Sequence, residues 1–261
     1  LWRCLHHLWQ IGLTEKLQKQ TSGIRNLDFT AYKKLKIPVP SIEVQREVVD
    51  ELDGYQKVID GAKQIIGHHT TKIKIDPSWE EVAFGNVCEF QGGSQPPKLN
   101  FIYQPKEGYV SFVQIRDFGE RGVETYIPVS PKNKLCEKDD VLIARYGASL
   151  GRICTGLSGA YNVALLKAIP DTNRLSKGFL FYFLKSDYVQ QKIQQFGARA
   201  AQAGIRPDDL KLLKISLPAM NVQQQVVTKL QEEQKHIESA KRMVDIYEEK
   251  IKSKIAEVWG E

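Results

Sequence analysis

Residues 36–66, KIPVPSIEVQREVVDELDGYQKVIDGAKQII, and residues 214–244, KISLPAMNVQQQVVTKLQEEQKHIESAKRMV, are two copies of one segment. Ile37 aligns with Ile215, Pro40 with Pro218, Gln45 with Gln223, Leu52 with Leu230, Ile59 with Ile237 and Ala62 with Ala240, all at one constant offset. Just upstream, SGIR at 22–25 answers AGIR at 203–206, slightly out of step. A repeat with this spacing is a duplicated domain with its connector, not a solenoid unit. Too little chain precedes the first copy to hold a second complete unit, so the expectation is one complete unit and the tail of another. A start at Leu1 rather than Met points to a fragment or a processed chain.

The repeated segment reads as a long helix with a heptad seam. In the second copy Leu230, Ile237, Val244, Ile251 and Val258 recur every seventh residue, with Val226, Ala240 and Tyr247 as companions. The first copy places Leu52, Ile59, Ile66 and Ile73 in the same way, with Val48, Tyr55 and Ala62. Glu, Lys, Gln and Asp fill the outer face. Pro40 and Pro218 precede the two helices, and Asp76-Pro77 stops the first. Such a pair can be a plain spacer or dimerisation element. Within one chain it would pair antiparallel, or it would recruit a second molecule.

Residues 77–219 have a different texture. β-like runs at 109–115, 124–129, 141–145 and 162–169 alternate with turns such as QGGSQPP (91–97) and GASLG (147–151). A helix is predicted over 177–196, burying Phe179, Phe183, Val189 and Ile193. This is an α+β domain with a mostly antiparallel, loop-rich sheet. Residues 1–20 read as what remains of the equivalent helix in the first unit.

Composition bounds the class. With 42% hydrophobic and 26% charged residues the chain has ordinary globular usage. Its apolar runs are too short to span a bilayer, and His6 and His7 interrupt any signal peptide, so the reading is cytoplasmic with no membrane partner. Cys4, Cys88, Cys136 and Cys154 lack metal-ligand spacing and read as buried small hydrophobes, with no metal site. His6, His7, His68 and His69 read as exposed helix-end residues, and Trp79, Phe84, Phe112 and Phe118 as core. A net charge of +6 leans toward nucleic acid.

Taken in order, W-x-x-V at 79–82, GGSQPP at 92–97, DVLIARYGASLGR at 140–152, the helix, GIRPDDLKLLKISLP at 204–218 and the coiled-coil segment resemble the DNA-specificity subunit of type I restriction-modification enzymes. That resemblance covers essentially the whole chain. It implies the tail of a first target recognition domain over 1–40, a first coiled-coil helix over 41–76, a recognition domain over 77–219 and a second helix over 220–261, the helices packed as an antiparallel coiled coil. It implies double-stranded DNA with a bipartite site as target, a methylation subunit gripping the helices and a restriction subunit bound through it. S-adenosylmethionine, ATP and magnesium are then expected on the partner subunits, with no cofactor here. The family enters its helix with two prolines followed by Glu-Gln. Here Ser41 and Ala219 replace the second proline and Val44 and Val222 the Glu, leaving Gln45 and Gln223 as the partner-binding candidates.

The residues themselves favour a binder over an enzyme. QPPK at 95–98 lacks the amide and the aromatic of an adenine-methyltransferase tetrad, and 147–151 lacks the Lys-Ser/Thr of a nucleotide loop. Asp208, Asp209 and Lys211 imitate part of a nuclease motif without a partner carboxylate. No catalytic residue is assigned. Gln91, Gln95, Gln114, Arg116, Arg145, Arg152, Arg199, Gln202 and Arg206, with Tyr146 and Ser149 on the 147–151 turn, are side chains that can read base edges or hold phosphates. The plain alternative for each is a solvated surface residue. Rival readings of the whole are the specificity region of a fused restriction-methylation polypeptide, or a coiled-coil scaffold whose globular domain binds protein. If both helices survive with one recognition domain, a homodimer is a further expectation.

Overall fold

The structure is a computed structural model, and it describes residues 2–21, 24–68, 72–120, 122–199 and 204–259. In chain order the elements are α1 (Trp2–Gln10), α2 (Leu13–Lys16), β1 (Gln18–Thr21), β2 (Ile24–Leu27), α3 (Phe29–Tyr32) and α4 (Ile42–His68). Then come β3 (Glu80–Ala83), β4 (Cys88–Gly92), β5 (Tyr109–Val113), β6 (Tyr126–Pro128), β7 (Leu135–Cys136), β8 (Val141–Ala144), β9 (Ile153–Cys154), β10 (Gly159–Tyr161) and β11 (Leu165–Pro170). The chain closes with α5 (Lys177–Leu184), α6 (Asp187–Arg199), α7 (Pro207–Lys211), β12 (Lys214–Leu217) and α8 (Met220–Trp259). It divides into two compact units, one of Leu1–Thr70 with Glu233–Glu261 and one of Thr71–Glu232.

The first unit holds α1–α3 and the antiparallel β1-β2 pair, and its longest elements are a helix pair, α4 and the C-terminal part of α8. Leu52, Ile59 and Ala62 of α4 are buried, and Ile59 and Ala62 form one apolar cluster with Ala240 and Val244 of α8, flanked by Ile66, Tyr247 and Ile251. Glu51 meets Lys254 at 3.1 Å and Lys63 meets Glu248 at 3.1 Å, so position rises along one helix as it falls along the other. The helices therefore pair antiparallel within the chain, on the seam the heptads mark. The first helix is described as far as His68 and residues 72–76 are not helical, so it stops short of the expected Asp76-Pro77, and Ile73 packs instead against the core of the second unit. His7 corrects another expectation: it is buried, 6% exposed, because it lies on the inner face of α1 beside buried Leu8. His6 stacks between Trp2 and Trp9, and His68 is exposed at its helix end; His69 lies outside the described residues.

The second unit is layered by strand alternation. β8 is buried at every position, because successive side chains point to opposite faces. Val141 and Ile143 join Leu166, Ala168 and the helical Phe179, Leu180, Phe183, Leu184, Val189 and Ile193. Leu142 and Ala144 face Val113, Cys136, Tyr161 and Leu165. Each buried Val, Leu, Ile or Phe among these contributes about 1.5–3 kcal/mol. The strands form four-stranded sheets ordered β4-β11-β8-β9 and β6-β5-β10-β7 and the pair β12-β3. Their pairings are antiparallel apart from β5 with β10. The predicted 177–196 helix is two, α5 and α6. Ser186 interrupts it, its hydroxyl accepting from Val189 N–H at 3.4 Å to start a new helix.

The two copies of the repeat differ in what covers them. In the second, Ile215, Leu217, Gln223 and Val227 are buried, Ile215 and Leu217 lie on β12 paired with β3, and Val227 fits against Gly178 of α5. Their counterparts in the first copy are less covered, with Ile37 and Gln45 half-buried. Val39 is 74% and Val49 47% exposed, and 36–39 form no strand. A groove of about 420 Å³ bounded by Trp2, Pro38, Val39, Val49, Leu52 and Ile255 lies there.

Candidate nucleic-acid interface

The pairing register of the second unit brings several loops to one end. Ala144, the last residue of β8, faces Leu165, the first of β11, and Gly92, the last of β4, faces Leu166. β5 and β10 run parallel, so Val113 and Tyr161 end side by side. The segments leaving these strands, 91–97, 114–118, 145–152 and 162–164, consequently leave from one edge. Residues 204–206 join them, since Ile205 N–H donates to Arg145 C=O at 3.1 Å and a Cβ on Gly204 would lie 2.4 Å from the Tyr146 ring.

Within this cluster the candidate residues play unequal parts. Arg145 is half-buried: its Nε donates to Ile205 C=O at 3.1 Å, and its guanidinium lies 5.0 Å from the Tyr146 ring centroid, a cation–π distance. It clamps 145–146 to 205. Tyr146 is 42% exposed and Ser149 half-exposed on the turn, whose Gly147 and Gly151 hold positive φ of 67° and 81°. The turn reading for 147–151 is the one the structure shows, a single 3₁₀ turn over Gly147–Ser149. Arg152 is exposed and its guanidinium donates to Phe118 C=O, joining the 145–152 and 114–118 loops. Arg116 is exposed and donates to Thr125 Oγ1 at 3.2 Å.

Two acidic groups nearby cap turns, and Asp117 also lies 3.7 Å from Arg116 Nε. Asp117 accepts from Gln114 N–H at 2.7 Å, and Asp209 from Arg206 N–H at 3.3 Å. That capping role accounts for Asp209 in the nuclease-like triplet, and Lys211 pairs with Glu89 at 2.7 Å. Arg116, Arg152 and Arg206 stay exposed, and a surface of forked cations and amides is suited to phosphate oxygens and base edges. Arg199 ends α6, its side chain beyond what is described, and Gln202 lies outside the described residues.

Two residues that sequence reasoning missed hold the 91–97 turn. Tyr161, fully buried, donates its hydroxyl to Gln91, whose C=O and Oε1 lie 3.1 and 3.0 Å away, and burial pushes its phenol pKa up. Asn162 reaches Gln95, and Ser94 N–H donates to Tyr161 C=O at 3.0 Å. Only the strand-to-turn position of Tyr-Asn could have hinted at this, since neither is charged nor in a motif.

Gln45 and Gln223 share one device. Gln45 Nε2 donates to Pro40 C=O at 2.8 Å and Gln223 Nε2 to Pro218 C=O at 2.9 Å, tying the helix start to its preceding proline in both copies. Gln223 is wholly buried and also donates to Arg174 C=O and accepts from Ser176 N–H, so a partner-contact role is replaced by an internal one. Gln45 is half-exposed at the rim of the apolar groove. Among the described residues no group of His, Cys, Asp and Glu could hold a metal ion, and no helix is long and apolar enough to cross a membrane.

Comparison with known proteins gives one family. The family described as "Type I restriction modification DNA specificity domain" matches residues 77–244. Two proteins of Methanocaldococcus jannaschii described as type I restriction enzyme specificity subunits, MjaX and MjaVIII, are 26% and 25% identical over 92% and 88% of this chain. The chain spans 64% of the length of each. Among solved structures, the HsdS subunit from Thermoanaerobacter tengcongensis superposes with a TM-score of 0.57 at 20% identity, covering 98% of this chain and 69% of that one. The type I restriction-modification S subunit from M. genitalium gives 0.59 at 17%, covering 97% and 71%. These are likenesses of fold.

Proposed function

This chain belongs to the type I restriction modification DNA specificity domain family, and we propose that it is a non-catalytic DNA-reading component of such a system. The second unit reads base edges of double-stranded DNA with the loops 91–97, 114–118, 145–152 and 204–206. The observation that carries this reading is their convergence, with Arg116, Arg152, Arg206, Gln91 and Gln95 leaving one edge of the sheets while Asp117 and Asp209 serve as caps. Phosphate contacts from the arginines would set register, and contacts to base edges would supply sequence choice.

The antiparallel pair α4 and α8 serves as the rod that carries the reader and offers the exposed face for a methylation subunit, with a restriction subunit bound through it. Methyl transfer from S-adenosylmethionine and the ATP- and magnesium-dependent steps belong to those partners. The open groove at Val39 and Val49 supports association of two copies on a bipartite site, and a cytoplasmic setting follows from this role.

Salt dependence tests the reading. A phosphate binder releases counterions, so log affinity falls with log salt by roughly 0.9 per phosphate neutralised. Replacing Arg116 or Arg206 by Ala is expected to lower that slope by about one, or, if the residue pairs a guanine, to relax one base position. A flat salt response would leave the protein-scaffold reading in place instead, and equal binding to every duplex in competition would remove the sequence choice.

A further inference from the structure

A glutamine at a base edge can offer its carbonyl oxygen, its amino group or both. In Gln95 one of the two is already occupied. Asn162 is 8% exposed, and Ala164 N–H donates to its Oδ1 at 2.7 Å. A main-chain N–H can only donate, so the oxygen of Asn162 is fixed on that side and its Nδ2 on the other. The atom of Gln95 that meets Nδ2, at 2.5 Å, must therefore be the acceptor Oε1. Gln95 Nε2 points away, reaching only Pro96 C=O at 3.2 Å on an exposed residue.

The turn cannot slide to escape this arrangement. Gly93 lies so close to the end of β10 that a Cβ would be 2.2 Å from Asn162 O and 2.4 Å from Tyr161 O. Ser94 and Asn162 form a parallel bridge.

We propose that Asn162 is a specificity-positioning residue that makes Gln95 a donor-only reader. This rests on the reading that the 91–97 turn faces DNA. A donor suits base edges that present acceptors, N7 and O6 of guanine or O4 of thymine, better than adenine, whose single acceptor N7 stands beside its N6 donor. The two-way pairing of a glutamine with adenine needs the oxygen that Asn162 holds, and cytosine offers only its N4 donor there. Asn162→Asp reverses the logic. One carboxylate oxygen still accepts from Ala164 N–H, the other now demands a donor, and the Gln95 amide turns over to present its oxygen outward. Gln95→Glu reaches the same outward acceptor without touching Asn162.

The test is selection of bound duplexes from a randomised pool by the full chain with its methylation subunit added, for the unaltered protein and both variants. The added negative charge weakens all binding, so the readout is relative base preference. The expected result is guanine or thymine at one position for the unaltered chain, moved toward adenine or cytosine on the order of tenfold in both variants, other positions unchanged. A shift in Gln95→Glu but none in a folded Asn162→Asp overturns the positioning role. Should Asn162→Asp fail to fold, as circular dichroism would reveal, Gln95→Glu still decides whether Gln95 reads a base. An unaltered chain that selects a motif unmoved by Gln95→Glu overturns the inference while sparing the DNA reading. One that enriches no motif at all removes that reading itself.

Discussion

Gln45 and Gln223 occupy the same place in the two repeats, so replacing each by Ala is an experiment with its own control. Gln223→Ala removes three hydrogen bonds, from Ser176 N–H at 2.9 Å and to Arg174 C=O at 2.7 Å and Pro218 C=O at 2.9 Å. At about 0.5–1.5 kcal/mol each, with three main-chain groups left behind in the interior, the loss should be about 2–4 kcal/mol. Gln45→Ala removes one bond at a half-exposed site, where water can take over the Pro40 carbonyl, and should cost under about 1 kcal/mol. Urea unfolding of the three proteins, followed by circular dichroism, measures both. Equal losses in the two variants would refute the reasoning, since they would mean that the shared bond to proline matters and the two extra ones do not. A neutral Gln223→Ala with weakened methylation-subunit binding would restore the partner-contact role.

Gly93→Ala would place its Cβ 2.2 Å from main-chain Asn162 O, and main chain cannot rotate away, so the 91–97 turn should detach; faster amide exchange at Gly93 and Ser94 checks this. Asp140 is 9% exposed; burial acts to raise its pKa, but hydrogen bonds from Lys177, Glu137 N–H and Lys167 outweigh that and hold it below 3.8. A carboxyl depressed by folding stabilises above its unfolded pKa and loses that contribution as pH falls through the folded value, so acid titration of stability should be shallower in Asp140→Asn. Burial pushes the Cys88 thiol up to about 12 and those of Cys136 and Cys154 to about 11, so a native thiol titration should find Cys4 alone reactive and all four only in denaturant. More than one fast thiol would contradict the packing described.

The rods were the most legible part of the chain, because a heptad pattern is a local statement: Leu52, Ile59, Leu230, Ile237 and Val244 all turned inward. Strands with an apolar run, such as β5, β8 and β11, were legible for the same reason. β4, β10 and β12 were not, because Glu89, Gly159 and Lys214 break the pattern and their partners lie far away in sequence. The break between α5 and α6 hides at a single serine. For the interface, residue type marked Arg116, Arg152 and Arg206, but type alone could not separate an exposed arginine from Arg145, which holds two loops together. Nor could it separate Gln45 from Gln223, whose surroundings differ although their sequence context is shared. Asn162 went unseen because its importance is purely geometric.

The pairing of β3 with β12, Glu80 opposite Leu217 and Ala83 opposite Lys214, places the two ends of the segment 84–213 next to each other. Everything between them, from Phe84 to Leu213, starts and finishes at one seam, where Phe84 N–H donates to Leu213 C=O at 2.8 Å. A chain organised in this way behaves like a socket with an interchangeable head: an exchange of coding sequence at those two strands would deliver a different set of loops through the same two junctions, without a new linker having to be devised.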